Sequence, residues 1–260
     1  MPIDPAVSAV RRADQAYCEQ LARAESIEFA LAYASCDHPL SASANQLREI
    51  TLGQMSVADA YETCERWFAQ HGLSCRRWSP ALGEPTDPYD GYLLQRGWTR
   101  RDRLAMALVE WPAIAAPDSS VHIVPARAMR RTLRATLLDP DAGACDAATR
   151  NAYADECIDR LNDSNFEMFV GAVNDQPAGR IGYHEVGDIA AVRDLYVVSA
   201  LRGRGVGRAL LAHLILMARR LSPRVLVCSV DAEDIRARRF FERNGFQAIG
   251  RLPEYERDLA

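Results

Sequence analysis

The sequence predicts an α/β fold of the α+β kind, with a mixed central sheet and helices on both of its faces. Apolar residues make up 48% and charged residues 25% of the 260 residues, which are ordinary values for a folded globular protein. The last third of the chain alternates helical and strand patterns, and turn-forming pairs such as Asn174-Asp175 separate the strand patterns before it. Such alternation is typical of a partly parallel sheet that is covered on both faces.

A break in this pattern divides the chain. Two prolines and several small residues between Trp111 and Ser120 interrupt both helical and strand periodicity, as in an exposed linker. The sequence therefore predicts two domains, over residues 1–115 and 120–260. We predict helices over 14–24, 57–70, 127–138, 146–161, 205–221 and 232–243, and strands over 27–33, 73–78, 104–111, 121–124, 166–173, 179–184, 190–198, 224–230 and from 246 onward.

The two halves contain a similar short segment. The run Leu-Leu-Gln-Arg-Gly-Trp at 93–98 resembles Phe-Phe-Glu-Arg-Asn-Gly-Phe at 240–246, and each run follows a helix and then a strand pattern. A gene duplication would explain this similarity, and so would chance in so short a window.

Charge and cysteine content exclude several classes of function. The net charge of -4 offers no broad cationic surface for nucleic acid. Seven cysteines without a CxxC pair predict neither a disulfide framework nor a metal site. The first residues do not form a basic and then apolar leader, and no apolar run reaches about 18 residues. We therefore expect a cytoplasmic protein with no nucleic-acid partner, no membrane contact and no metal.

The segment from Asp194 to Leu211 is the most informative one. A strand pattern leads into a glycine-rich turn and then a helix, with Arg202, Gly205 and Gly207 in an RxxGxG arrangement. Glycines let a ligand approach the backbone, and the N–H groups and dipole of a helix N-terminus favour an anion. The turn is therefore an anion-site candidate, with a ligand-free connection as the alternative. The helix predicts a sheet-facing stripe of Val206, Leu210, Leu214, Met217 and Leu221.

These residues resemble the GNAT N-acetyltransferase superfamily. Its signature is a strand ending in V-x-P, then R/Q-x-x-G-x-G/A and an amphipathic helix. Here Ser199 replaces the proline, while the RxxGxG residues and a terminal Gly245-Phe246 pair match. The resemblance covers about 121–255. The first half is similar to the degenerate first domain of two-domain GNAT proteins and has no RxxGxG, so we expect it to bind no second cofactor and to act as a packing partner or pocket wall.

The resemblance implies an acetyl-CoA-dependent N-acetyltransferase. The pantetheine arm would pair with Leu195, Tyr196 and Val197, and the thioester would lie between this strand and the next. A primary amine of a small molecule or peptide would attack the thioester directly. The pyrophosphate would bind the backbone amides of Arg202, Gly203, Arg204, Gly205, Val206, Gly207 and Arg208.

Strand alternation places Asp194 and Tyr196 on the same face of the cofactor strand. Asp194 is the first candidate general base, followed by His184 and Glu185, although an ion pair with Arg193 or with a helix arginine would explain Asp194 at least equally well.

The sequence leaves the general acid unassigned. Members of the family use a tyrosine on the last helix, where this chain has Phe241, so Tyr196, Tyr183 or water would have to replace it. Cys228, in a strand pattern without a fixed base, is better explained as a small buried residue.

Two other functions stay open. The Phe241 substitution favours a catalytically weak or inactive protein that binds acetyl-CoA or CoA for regulation, and a pure scaffold is the other. The acceptor is not identified by the sequence. Acidic residues at its expected entrance would suit an amine, unless they are simply solvated: Asp155, Glu156, Asp159 and Glu254.

Overall fold

The computed structural model describes residues 4–112, 120–142 and 146–257, and in these residues eleven strands form one mixed sheet. The N-terminal half contains α1 (Pro5–Glu19), β1 (Arg23–Ile27), β2 (Ala30–Ala34), β3 (Gln46–Ile50), α2 (Val57–Gln70), β4 (Arg77–Pro80), α3 (Asp87–Leu93) and β5 (Thr99–Leu108). The C-terminal half contains β6 (His122–Pro125), α4 (Arg130–Leu137), α5 (Ala147–Arg160), β7 (Phe166–Val173), β8 (Gln176–Val186), β9 (Ile189–Val197), α6 (Val206–Leu221), β10 (Val225–Asp231), α7 (Ile235–Arg243) and β11 (Phe246–Glu256).

The two halves exchange their last strands. The sheet order is β1-β2-β3-β4-β11-β5-β10-β9-β8-β7-β6. Strand β5 thus lies beside β10 of the C-terminal half, while β11 lies beside β4 of the N-terminal half. At the centre β5 and β11 pair antiparallel, from Phe246 opposite Leu108 to Glu256 opposite Thr99. One continuous sheet therefore joins the halves, and the boundary between residues 115 and 120, most of which lies outside the described residues, stays a prediction.

The two similar segments of the sequence occupy equivalent places. Gly97 and Gly245 both adopt left-handed backbone conformations, with φ of 80° and 91°, and each connects a helical segment to an exchanged strand. Trp98 and Phe246, which follow these glycines, are both buried. This equivalence supports an internal repeat.

Helices cover both faces of the sheet, and the predicted fold class is confirmed. On one face of the C-terminal half, α6 and α7 share a core with β8, β9 and β10. The opposite face is covered by α4 and α5 and also by α1, which belongs to the N-terminal half. Apolar residues of α1, among them Val7, Val10 and Ala13, pack against Ile189 and Val227. The N-terminal half has its own core around Trp78, beneath α2.

Most predicted elements are present, but three predicted segments of the first half were misplaced and two elements were missed. The predicted strand 73–78 shares only Arg77 and Trp78 with β4. Helix α1 begins at Pro5, where Asp4 caps it by accepting from the Ala6 amide, and it ends at Glu19, before the predicted segment 14–24 does. The predicted strand 27–33 is the junction of two antiparallel strands, β1 and β2. Strand β3 and helix α3 were not predicted, because short elements carry little periodic signal.

Candidate functional site

Strand β9 separates from β10 after its third residue. The two strands are parallel and pair through Ile189 to Ala191, whereas β9 continues to Val197. Beyond Ala191, no described residue of β10 pairs with it. The half-buried residues Leu195, Tyr196 and Val197 lie in this unpaired stretch. The backbone edge of these residues is therefore not paired with β10, and their contact with a cofactor stays a prediction.

The turn after β9 leads directly into a helix without a side-chain cap. Gly203 and Gly205 have φ of 78° and 82°, a left-handed region that favours glycine. Gly205 is the N-cap of α6 and no side chain caps this helix. Within the described ranges, the amides of Gly205, Val206, Gly207 and Arg208 have no hydrogen-bond acceptor. Four consecutive N–H groups are thus available to an anion.

The available amides form a shorter run than the sequence predicts. The Arg202 amide donates to the Ser199 carbonyl at 3.2 Å, and the Arg204 amide donates to the Leu201 carbonyl at 3.4 Å. The Arg202 side chain also turns back, since its Nε donates to the Val197 carbonyl at 3.0 Å. Arg202 therefore fixes the turn against the end of β9, while Arg204 and Arg208 are exposed beside the free amides.

Helix α6 is held close to β9. A Cβ atom on Gly207 would lie 3.3 Å from Val197 Cγ2, so the glycine at this position lets the helix approach the strand. The predicted apolar stripe is correct for Val206, Leu210 and Leu214, but Leu221 is 55% exposed because it is the last residue of the helix. Other buried residues of α6, which the predicted stripe did not include, complete the packed face: Ala209, Leu211, Ile215 and Ala218.

Asp194 is held by two tyrosines. A bulge in β9, where Asp194 has φ of 46°, brings Arg193 and Asp194 to the face covered by α1 and α5. The Tyr17 hydroxyl donates to Asp194 Oδ2 at 3.0 Å and the Tyr153 hydroxyl donates to Oδ1 at 2.5 Å. Burial raises the pKa of both tyrosines, so both hydroxyls stay protonated donors. Arg193 pairs with Asp14 at 2.5 Å, so the ion pair considered for Asp194 does not form.

The other candidate catalytic residues lie elsewhere. The Tyr196 hydroxyl accepts from Arg202 Nη2 at 3.3 Å, and burial raises the Tyr196 pKa. His184 is 2% exposed, and burial lowers its pKa to about 4, with a smaller contribution from Arg193. His184 and Glu185 line a different, open cavity. The structure therefore does not bring them to Asp194.

Phe241, Cys228 and Tyr183 all belong to the core beneath α6 and α7. The Phe241 ring packs edge to face on the Phe246 ring, with 5.2 Å between the ring centroids. Burial raises the pKa of the Cys228 thiol, so Cys228 is a poor nucleophile and fits the structural explanation. The Tyr183 hydroxyl has no hydrogen-bond partner among the described residues, and burial raises its pKa to about 12.

A cavity of about 460 Å³ lies between the two halves and reaches Asp194. We call it the charged cavity. Tyr17 and Arg48 line it from the N-terminal half, and Tyr153, Arg193 and Asp194 line it from the C-terminal half. The N-terminal half thus forms a wall of this cavity. Sequence reasoning missed Tyr17, Tyr153 and Arg48, because only the packing of α1, α5 and β3 brings them near β9.

The acidic entrance that the sequence suggested is largely neutralised. Glu156 and Glu254 do line the charged cavity, but Arg160 lies 2.8 Å from Glu156 and Arg77 lies 3.7 Å from Glu254. Asp155 and Asp159 are outside its lining and pair with Arg134 and His38 at the surface.

Neither a metal cluster nor a membrane span is found in the part of the chain that the structure describes. Its His, Cys, Asp and Glu side chains form no group of three or more that could hold a metal ion. Within the same ranges, no helix combines the length and apolar character needed to cross a bilayer.

The fold and the strand-turn-helix site together define an α/β protein with a candidate anion site at the N-terminus of α6. Residues 132–246 match the model of the acetyltransferase (GNAT) family. This part of the C-terminal half is therefore similar to GNAT acetyltransferases, a similarity that supports acyl-CoA-dependent acetyl transfer in general. No curated protein matches the sequence significantly.

Solved structures share the fold over nearly the whole chain. A functionally unknown conserved protein from Staphylococcus epidermidis has a TM-score of 0.72 at 16% identity, over 92% of this chain and 95% of that one. A GCN5-related N-acetyltransferase from Kribbella flavida has a TM-score of 0.67 at 14% identity, over 100% and 98%. A tandem GNAT protein from the clavulanic acid biosynthesis pathway has a TM-score of 0.53 at 12% identity, over 83% and 76%. At these identities the similarity shows the tandem fold alone.

Proposed function

We propose that the protein is an acetyl-CoA-dependent N-acetyltransferase that transfers an acetyl group to a primary amine by direct attack. One observation carries the proposal. The uncapped N-terminus of α6 follows a strand whose edge is free for the length of Leu195 to Val197. A diphosphate and an extended amide-containing chain need these two surfaces side by side.

The residues present fit the cofactor. The amides of Gly205 to Arg208 would hold the diphosphate, with Arg204 and Arg208 adding positive charge. The free edge of β9 would pair with the amide groups of the pantetheine arm. Bound in this way, acetyl-CoA supplies an activated acyl group and a thiolate leaving group.

Asp194 is the proposed general base. The charged cavity gives an amine access to Asp194, and the hydroxyls of Tyr17 and Tyr153 hold its carboxylate in one orientation. As the N–C bond forms and the C–S bond breaks, the amine proton would pass to Asp194, directly or through water. A thiol has a pKa near 8.5, so the sulfur can leave as thiolate and take a proton from water. Phe241 is therefore compatible with turnover.

The alternative is a protein that binds CoA without efficient turnover. The burial of Phe241 in the core, where a tyrosine would be expected in this family, favours this alternative.

One assay separates the two functions. Acetyl-CoA binding is measured by thermal stabilisation, and transfer by release of free CoA in the presence of a panel of amines. The proposed enzyme is stabilised and releases CoA only when an amine is present. Stabilisation without release from any amine indicates the regulatory function, and the absence of both contradicts the cofactor site itself.

A further inference from the structure

The charged cavity is lined by more arginines than carboxylates. Seven arginines and five acidic residues contribute to its lining. A cavity with such an excess of guanidinium groups does not suit a simple cationic amine. It suits a molecule that also carries negative charge.

The carboxylates of the cavity already have close partners. Asp14 lies 2.5 Å from Arg193, Glu256 lies 2.6 Å from Arg77 and Glu156 lies 2.8 Å from Arg160. Asp194 accepts from the two tyrosine hydroxyls.

Arg48, in contrast, keeps donors without acceptors. Arg48 is only 2% exposed, and its Nη1 donates to Gln46 at 3.3 Å. Arg48 forms long ion pairs with Glu254 at 3.8 Å and Asp14 at 3.9 Å, but neither carboxylate is within hydrogen-bond distance. Among the described residues, Nε and Nη2 of Arg48 have no hydrogen-bond partner. A buried guanidinium in this state is costly, and an anionic ligand would satisfy it.

Arg193 shows the same feature next to the proposed base. Its Nε and Nη2 are buried and have no hydrogen-bond partner in the part of the chain that the structure describes. Its guanidinium lies 4.8 Å from the centre of the Tyr17 ring, whose hydroxyl binds Asp194. The arginines with unused donors and the carboxylate that would receive the amine proton therefore line the same cavity.

We propose that the acceptor is a small molecule with a carboxylate or phosphate group in addition to its amine, and that Arg48 and Arg193 bind this anion. The proposal rests on the proposed acetyl transfer. The cavity of about 460 Å³ has the size of a small-molecule site, which favours such an acceptor over a protein lysine.

Matched pairs of amines test the proposal with the intact protein. Pentylamine is compared with 5-aminopentanoate, and ethanolamine with phosphoethanolamine, which distinguishes the carboxylate from the phosphate. CoA release gives kcat and KM, and calorimetric titration into the CoA-loaded protein gives affinity without turnover. We expect at least tenfold higher kcat/KM and tighter binding for at least one anionic member relative to its neutral partner.

Variants assign the preference to the arginines. Arg48→Gln and, separately, Arg193→Gln should raise KM or Kd for the anionic amine at least tenfold, with the affinity for acetyl-CoA unchanged. Arg101→Gln is the matched control, because Arg101 is an exposed arginine of β5 outside the cavity lining. Thermal melting identifies a variant that fails to fold, and the comparison of amines on the natural protein does not depend on any variant.

Each other outcome is informative. Equal or absent affinity for anionic and neutral amines, or faster acetylation of lysine peptides than of both anionic amines, overturns the proposal. If the anionic amines bind with the predicted preference while no amine releases CoA, the proposed transferase function fails and the anion site stands.

Discussion

The first turns of α6 and α2 differ in what satisfies their amides. Both helices follow a strand and a glycine-containing turn, at equivalent places in the two halves. At α2, Ser56 Oγ accepts from the Asp59 amide at 3.1 Å, and Glu84 Oε1 accepts from the Leu52 amide at 3.1 Å in the preceding turn. At α6, no side chain performs this role in the described residues. The N-terminus of α2 thus has a side-chain cap, whereas that of α6 has none.

The strands before these helices differ in the same direction. In the N-terminal half β3 and β4 stay paired up to Ile50 and Pro80, whereas β9 separates from β10 after Ala191. Both β3 and β9 contain a residue at positive φ, Glu49 at 52° and Asp194 at 46°. Glu49 forms an ion pair with Arg11 at 2.5 Å, while Asp194 faces the charged cavity. The same fold therefore serves as a scaffold in one half and as a candidate binding site in the other.

The largest expected effect is a loss of kcat on substitution of Asp194, and Glu49, its counterpart at positive φ, provides the control. Asp194→Asn should lower kcat by about 10²- to 10⁴-fold, the usual contribution of a general base, with little change in the Kd of acetyl-CoA. Glu49→Gln, the equivalent change in the N-terminal half, should leave kcat unchanged. CoA-release kinetics at saturating acetyl-CoA measure both. Similar losses in the two variants would remove the proposed distinction between the halves.

Substitution of His184 distinguishes the two candidate general bases of the C-terminal half, His184 and Asp194. The pKa of buried His184 is lowered to about 4 from 6.5, so the unfolded state binds more protons between these values. The contribution of neutral His184 to the free energy of unfolding should therefore be fully present above pH 6.5. The free energy of unfolding should fall by about 3 kcal/mol as the pH decreases towards 4.

The variant His184→Gln should lose this part of the pH dependence and keep most of its kcat. Urea unfolding at pH 5 and pH 7.5 measures the difference. If kcat falls as far as in Asp194→Asn, His184 has a catalytic role that its position does not explain.

The turn glycines test the anion site. Gly205→Asp should weaken acetyl-CoA binding about 100-fold, because it adds a carboxylate where the diphosphate would lie and strains a left-handed position. Gly53→Asp is matched for strain, since Gly53 has φ of 57° and open space around its Cβ position. It should bind acetyl-CoA normally. Titration calorimetry gives both affinities, and equal weakening would indicate a general effect of strain.

The smallest effect concerns the cap of α2. Ser56→Ala should lower the free energy of unfolding by about 1 kcal/mol without changing the Kd of acetyl-CoA. Chemical denaturation together with a binding titration tests this prediction. A changed affinity would mean that the N-terminal half takes part in cofactor binding.

The sequence predicts the C-terminal elements well, because long amphipathic and β-branched segments carry strong periodic signals. The RxxGxG turn was placed correctly at the start of α6, since glycine and arginine spacing is a local property. Strand exchange could not be predicted in this way, because the local sequence of Thr99–Leu108 does not determine that β5 pairs with β10 and β11.

The charged cavity also depends on contacts that are distant in the sequence. Tyr17 and Asp194 are 177 residues apart, and the unused Nε and Nη2 donors of Arg48 are found only when β3, α1 and β11 are packed together. Strict alternation along β9 does not predict the bulge that brings Arg193 and Asp194 to the same face. It also does not predict what occupies the opposite wall.

A crystal structure of the protein in complex with CoA tests the proposed cofactor site. This site predicts diphosphate oxygens within about 3 Å of the amide nitrogens of Gly205 to Arg208, with the pantetheine arm along the free edge of β9 and no ligand at the start of α2. A diphosphate bound elsewhere, with these four amides satisfied by water or by the protein itself, would contradict it.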